Sequence, residues 1–160
     1  MAKEDRVDLL KLISPFSDEV QNKALWLRDF VWSQYPQANE LIFDNHDNII
    51  LGWSPTEKVG HASCVIALDR TNNNIYFGFY DGAALADPEK LLTGNGKRYR
   101  YIQIEDINDF PKAYITQLLK DAWINSLRKV NDYKQIVNGK TVVKSILASL
   151  GAMLETIVQL

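Results

Sequence analysis

Between residues 40 and 80 the chain reads as four apolar runs separated by turn-forming residues, and this pattern restricts the fold more than any other. ELIFD (40–44) and IILGW (49–53) flank NHDN, and SCVIALD (63–69) and IYFGFY (75–80) flank RTNNN. Asn and Asp bond to their own backbone and tolerate turn conformations, so each pair predicts a β-hairpin. SPTEKVGH (54–61) is a loop between the hairpins, and YRYIQIE (99–105) supplies a fifth strand. Strands joined by successive hairpins form an antiparallel meander.

Helical spacing brackets this strand region. Residues 3–13 form a short helix that SPF (14–16) interrupts. Ser17 then suits an N-cap, with Asp18 and Glu19 in the first turn, where the helix dipole favours acids. Val20, Ala24, Leu27, Val31 and Tyr35 follow at helical spacing, and Pro36 ends the helix. A long helix starts near Pro111 and presents Ile115, Leu118, Leu119, Ala122, Leu127 and Val130 to the core. Residues 131–140 are a polar break, and 140–160 predict a final helix. Its seam is Val143, Ile146, Leu150, Met153, Ile157 and Leu160, broadened by Leu147, Leu154 and Val158. That helix is expected either to pack on its own domain or to form a homodimer. The expected architecture is α+β: an about five-stranded, mainly antiparallel sheet packed with N-terminal and C-terminal helices, in one domain spanning 1–160.

Composition narrows the function classes. With 160 residues, 46% hydrophobic and 24% charged, the chain can bury a core of ordinary size. A net charge of −2 lacks the basic excess of a dedicated nucleic-acid binder. Cys64 is the only cysteine, so no intramolecular disulfide forms. The opening MAKEDRVDLL is too charged for a secretory signal, and no apolar run would span a bilayer. The expectation is a cytoplasmic protein without a membrane partner.

Residues 81–98 are longer than most connections, which implies internal structure or a function. Asp87 suits an N-cap, Pro88 a first helical residue, and Gly94 a left-handed stop, so 88–92 predict a short helix. GNGKR (94–98) offers a second reading, in which backbone N–H groups freed by Gly94 and Gly96 meet an anion beside Lys97, Arg98 and Arg100. It is not a phosphate loop of the Walker A kind, because Leu91 stands where that motif has glycine and Arg98 where it has Ser or Thr. A third reading uses strand parity. Tyr99 and Tyr101 point opposite to Ile102 and Ile104, while Tyr76 and Tyr80 share a parity on the preceding strand. The four tyrosines would line the sheet face away from the isoleucines, with Trp53 beside them. That face is then either a binding platform or a surface covered by the terminal helices.

The segment DGAALADPEKLLTGNGKRYRYIQIED resembles the YdhG-like bacterial domain-of-unknown-function family. The likeness rests on Gly82, Leu85, Asp87, Pro88, Leu91, Leu92, Gly94, Gly96, Lys97 and Arg100, and covers about residues 18–130. The helices at 3–13 and 140–160 would be additions to that core. The resemblance implies an α+β domain. It also points to frataxin-like relatives described as iron chaperones, which hold iron loosely on carboxylates of an acidic helix and the neighbouring strand. Here the helix at 18–35 offers only Asp18, Glu19 and Asp29.

Other chemistry-bearing residues have plainer readings. Asp44, His46 and Asp47 carry metal-ligand side chains, but they also have the composition of a hairpin turn. His61 reads as a rim residue, Cys64 as a buried thiol, and Glu105, Asp106 and Asp109 as a capping region. No nucleophile–base arrangement, metalloprotease motif or zinc-finger spacing occurs. The leading expectation is a small binding or chaperone-type module for an unknown small ligand or protein, with no catalytic centre and no cofactor, iron being the family-based alternative. Its surface would be the 81–100 loop and the tyrosine face. The rival readings are an anion-binding protein or enzyme using residues 94–100, and a structural protein dimerising through 140–160.

Overall fold

A computed structural model describes residues 9–139 and 141–144. Residues 9–13 are helical and bury Leu9 and Ile13. They lead into helix α1 (Asp18–Gln34), whose N-cap is Ser17, with the side chain accepting from Val20 N at 3.3 Å. Four strands follow as a meander: β1 (Asn39–Asp44), β2 (Asn48–Ser54), β3 (Cys64–Asp69) and β4 (Ile75–Phe79). After the long loop come β5 (Arg100–Gln103), helix α2 (Lys112–Lys129) and β6 (Thr141–Lys144). Among the described residues the sheet has six strands in the order β5-β4-β3-β2-β1-β6, antiparallel except for the parallel β1–β6 pair.

Sheet registry explains the main core. Ile42, Leu51, Ile66, Phe77 and Ile102 are successive partners across five strands, so they form one continuous apolar row. Both long helices pack on this face: α1 buries Val20, Ala24, Leu27 and Val31, and α2 buries Ile115, Leu118, Leu119 and Ala122. The expected inward position of Leu127 is not taken. It is 39% exposed, and Trp123 and Ser126 carry the buried stripe onward because they continue the spacing of Leu119 and Ala122. The opposite face carries a second, smaller cluster that includes Leu41, Phe43, Ile50, Val65 and Tyr76.

Two sequence expectations change here. Residues 141–144, expected to begin a helix, are a strand on the β1 edge. Thr141 and Val142 are β-branched, and the open edge of β1 offers them ladder partners that no local rule reveals. The rest of that expected helix, with Ile146, Leu150, Met153 and Ile157, lies outside the described residues, as does the dimer reading built on it. Trp53, expected beside the tyrosines, is fully buried in the helix-side core instead. Gly52, its neighbour of opposite parity, faces the tyrosine side, in register with Leu41 and Val65. Among the described residues, no helix is long and apolar enough to cross a membrane.

Candidate functional site

The 81–99 loop does not form the expected helix. Lys90 takes a left-handed conformation with φ 52°, which an α-helix does not admit, and only a turn forms at Pro88–Glu89. Asp87 does act as a local acceptor, but for donors further along. Its carboxylate receives Leu91 N at 3.0 Å, Leu92 N at 2.9 Å and the Tyr114 hydroxyl from α2. Partial burial would raise this carboxyl, but the bonds from Tyr114, Leu92 and Leu91 outweigh it and hold Asp87 below the ordinary range. The chain then returns to the sheet, where Thr93 and Tyr101 exchange backbone bonds of 2.8 and 3.0 Å. Gly94 has φ 135°, so the expected left-handed glycine is present. Gly82 is buried against Arg100. The loop is therefore a tied structure that lies along β5.

Its basic residues divide. Arg100 Nη1 donates to the carbonyls of Gly96 and Tyr99 at 2.6 and 2.7 Å, so its charge secures the loop. Lys97 is exposed. Arg98 turns back to the loop's start, where its Nε donates to Asp81 Oδ1 at 2.6 Å. The other oxygen of Asp81 is closed from water and meets the ammonium of Lys129, from the last turn of α2. The same two cations also lie over the Tyr80 ring, with Arg98 Cζ 4.7 Å and Lys129 Nζ 5.1 Å from its centre. Lys129 Nζ also reaches the Gly60 carbonyl at 3.4 Å, in the 3-10 turn Val59–His61.

That turn adds two more groups. His61 Nδ1 and Thr56 Oγ1 share a 2.8 Å hydrogen bond. Burial, then the nearby charges of Lys58 and Lys129, lower the imidazole pKa. Burial also lowers Lys129. Arg98 and Lys129 thus share one aromatic ring, Tyr80, and one carboxylate, Asp81, and Lys129 also acts on His61 in the neighbouring turn. Asp81 also lines a crevice of about 10 Å³, together with Ser63, Asn125 and Ser126 and the apolar Ala62, Leu85 and Ala122. The sequence marks Tyr80, Arg98 and the loop as candidates, reads His61 as a rim residue and does not single out Lys129; these last two arrive from segments 19 residues before and 49 after Tyr80. Lys129 carried one weak signal: a cation in a last helical turn is favoured by the dipole whatever else it does.

The remaining candidates are dispersed. Tyr76, Tyr99 and Tyr101 share the expected face, with Tyr76–Tyr101 edge-to-face at 5.6 Å and Tyr99–Tyr101 stacked at 5.7 Å. Tyr76 and Tyr99 are buried, at 6% and 3% exposure, so they belong to the second cluster. Asp44 accepts from Arg70 Nη2 at 2.7 Å, while His46 and Asp47 project from the β1–β2 turn. No group of three or more His, Cys, Asp or Glu side chains that could hold a metal occurs among the described residues. The Cys64 thiol is buried and pushed up to about 12, far from a reactive thiolate. A separate open groove of about 460 Å³ runs between the start of α1 and the end of β5, lined by Glu19, Lys23, Trp26, Glu105 and Asp106 among others. No protein-family model, curated protein or solved structure matches this chain.

Proposed function

We propose that this chain is a small binding module whose ligand is an anion seated beside Tyr80, between Arg98 and Lys129. The carrying observation is the charge balance of the cluster. Asp81 is the carboxylate shared by Arg98 and Lys129, and the charge of Lys129 also reaches His61. Two cations, Arg98 and Lys129, thus meet one shared carboxylate, in a chain whose net charge is −2. Asp81 occupies the place between the two cations that an anion would compete for. The YdhG-like resemblance is compatible with a binding role, and the reading needs neither a cofactor nor a catalytic step.

The test is titration with inorganic phosphate and pyrophosphate, followed by amide NMR shifts at pH 6.5. Saturable shifts centred on residues 58–61, 80–83 and 98, lost in Lys129→Met, are expected. Asp81→Asn removes the resident counter-ion and should tighten binding severalfold, whereas a purely structural cluster would only lose stability. Shifts that spread over the surface, or an unchanged affinity in Lys129→Met, would sink the proposal.

A further inference from the structure

The groove between α1 and the end of β5 shares no residue with the Asp81 cluster. At about 460 Å³ it falls within the range of roughly 300–1,000 Å³ usual for small-molecule pockets. One wall is α1. Glu19, Asn22, Lys23 and Trp26 stand at the i, i+3, i+4 and i+7 positions of that helix, so a single face presents all four. This face flanks the buried stripe of Val20, Ala24 and Leu27, which is why Trp26 is half-buried while Glu19 and Asn22 are open to water. The other wall is the turn leaving β5, with Glu105, Asp106 and Ile107. The indole of Trp26 is held in place by its neighbours. Phe30 lies parallel to it at 5.8 Å and Phe110 meets it edge to face at 5.4 Å. Lys112 Nζ stands 5.1 Å from its ring centre, so the ring already attracts one cation of its own chain.

We propose that this groove binds a small organic cation, an amine or guanidinium carried on a short apolar stem. Charge selects that occupant. Three carboxylates line the groove against one lysine, and Glu19 already holds that lysine at 2.8 Å. Lys112 is engaged by the indole. Asp106 accepts from Asn108 N at 2.9 Å through one oxygen. Glu105 is exposed and makes no hydrogen bond or ion pair among the described residues. The cations of the groove are thus taken, and a carboxylate is left over. A guanidinium or ammonium head meets Glu105 and Asp106 through charge-assisted hydrogen bonds. Its stem lies on Trp26 and Ile107, the two apolar side chains of the lining, where burial of the stem and the attraction of the indole for positive charge both favour it. The volume matches a whole small molecule, so a free cation is the occupant.

The experiment titrates the full chain with butylguanidinium and with butylurea, its uncharged isostere, and follows amide NMR shifts. Saturable shifts centred on residues 19–26 and 105–107 are expected with butylguanidinium, and butylurea should bind about tenfold more weakly. Glu105→Gln should remove most of that difference and leave the melting temperature in place, because Glu105 is exposed and unengaged. Trp26→Leu should weaken both probes. Absence of saturable shifts at those residues, equal binding of the two probes, or an unchanged affinity in Glu105→Gln overturns the proposal. So does far tighter binding by a peptide with one internal arginine, which would make a protein segment the occupant.

Discussion

At the scale of single residues, the sharpest constraint is Gly78. A Cβ built there would lie 2.2 Å from the Tyr99 hydroxyl oxygen and 2.5 Å from Cζ, so the tyrosine ring rests directly on the β4 backbone. Gly78→Ala must push that ring off the strand, and overpacking of this kind costs about 1–3 kcal/mol. Urea denaturation should show that loss in Gly78→Ala. Adding Tyr99→Ala should leave a much smaller further change than Tyr99→Ala causes alone, because the clash has gone. Strictly additive losses would mean that the two residues do not share the space. Asp87 shows how far a local motif can be read. The Asp–Pro pair and the downstream Gly94 predicted a short helix at 88–92, and a turn forms there instead, although Asp87 is an acceptor as expected. Its donors were not legible: Leu91 and Leu92 lie beyond the reach of a normal cap, and Tyr114 comes from another helix.

Between elements, one contact dominates. Arg28 is 1% exposed and Glu40 0%, and they form a bidentate pair of 2.6 and 2.7 Å, joining α1 to the first strand. Thr141 Oγ1 donates to the same carboxylate at 3.2 Å, which brings in β6. Removing one partner leaves the other charged and buried, which costs about 3–5 kcal/mol, whereas replacing both with apolar residues is often neutral. Arg28→Met should therefore lose several kcal/mol in chemical denaturation, and Arg28→Met with Glu40→Leu should regain most of it. A double variant as weak as the single one would show that the pair supplies something packing cannot replace. The hairpins and both long helices were readable because their apolar periods and turn residues are local. The ion pair was half visible: Arg28 interrupts the apolar face that Ala24 and Val31 define, and Glu40 has the parity of Ile42. Strand β6 was not visible, since its identity depends on β1, about 100 residues earlier in the chain, and Thr-Val-Val adjoins a stretch with helical spacing.

Across the whole molecule, the two ends of the sheet are secured differently. At one edge the 81–99 loop folds along β5 through Thr93. At the other, residues 131–139 carry the chain from α2 to β6, held by Val137 N to Pro55 O at 3.2 Å, Gly139 N to Gln37 O at 3.1 Å and Asn39 Nδ2 to Val137 O at 2.7 Å. The first of these edges holds Asp87, and the sheet end beside it holds His61; both groups respond to acid, and in the same direction. His61 has a lowered pKa, through burial and the charges of Lys58 and Lys129, so the folded state binds its proton less readily than the unfolded chain does. Its contribution is present above the unfolded value of about 6.5 and is lost as pH falls through that value toward the folded one. Asp87 is also lowered, because its hydrogen bonds from Tyr114, Leu92 and Leu91 overcome the cost of burial. Its contribution is present above the unfolded value of about 3.9 and disappears as pH falls through the folded one. Stability measured against pH should thus decline on the acid side in two separable windows. His61→Gln should flatten the upper window and leave the lower, Asp87→Asn should do the reverse, and the two changes should be independent because the groups belong to separate hydrogen-bond systems. A profile in which either substitution alters both windows would instead mean that the β5 loop and the His61 turn open together as one unit.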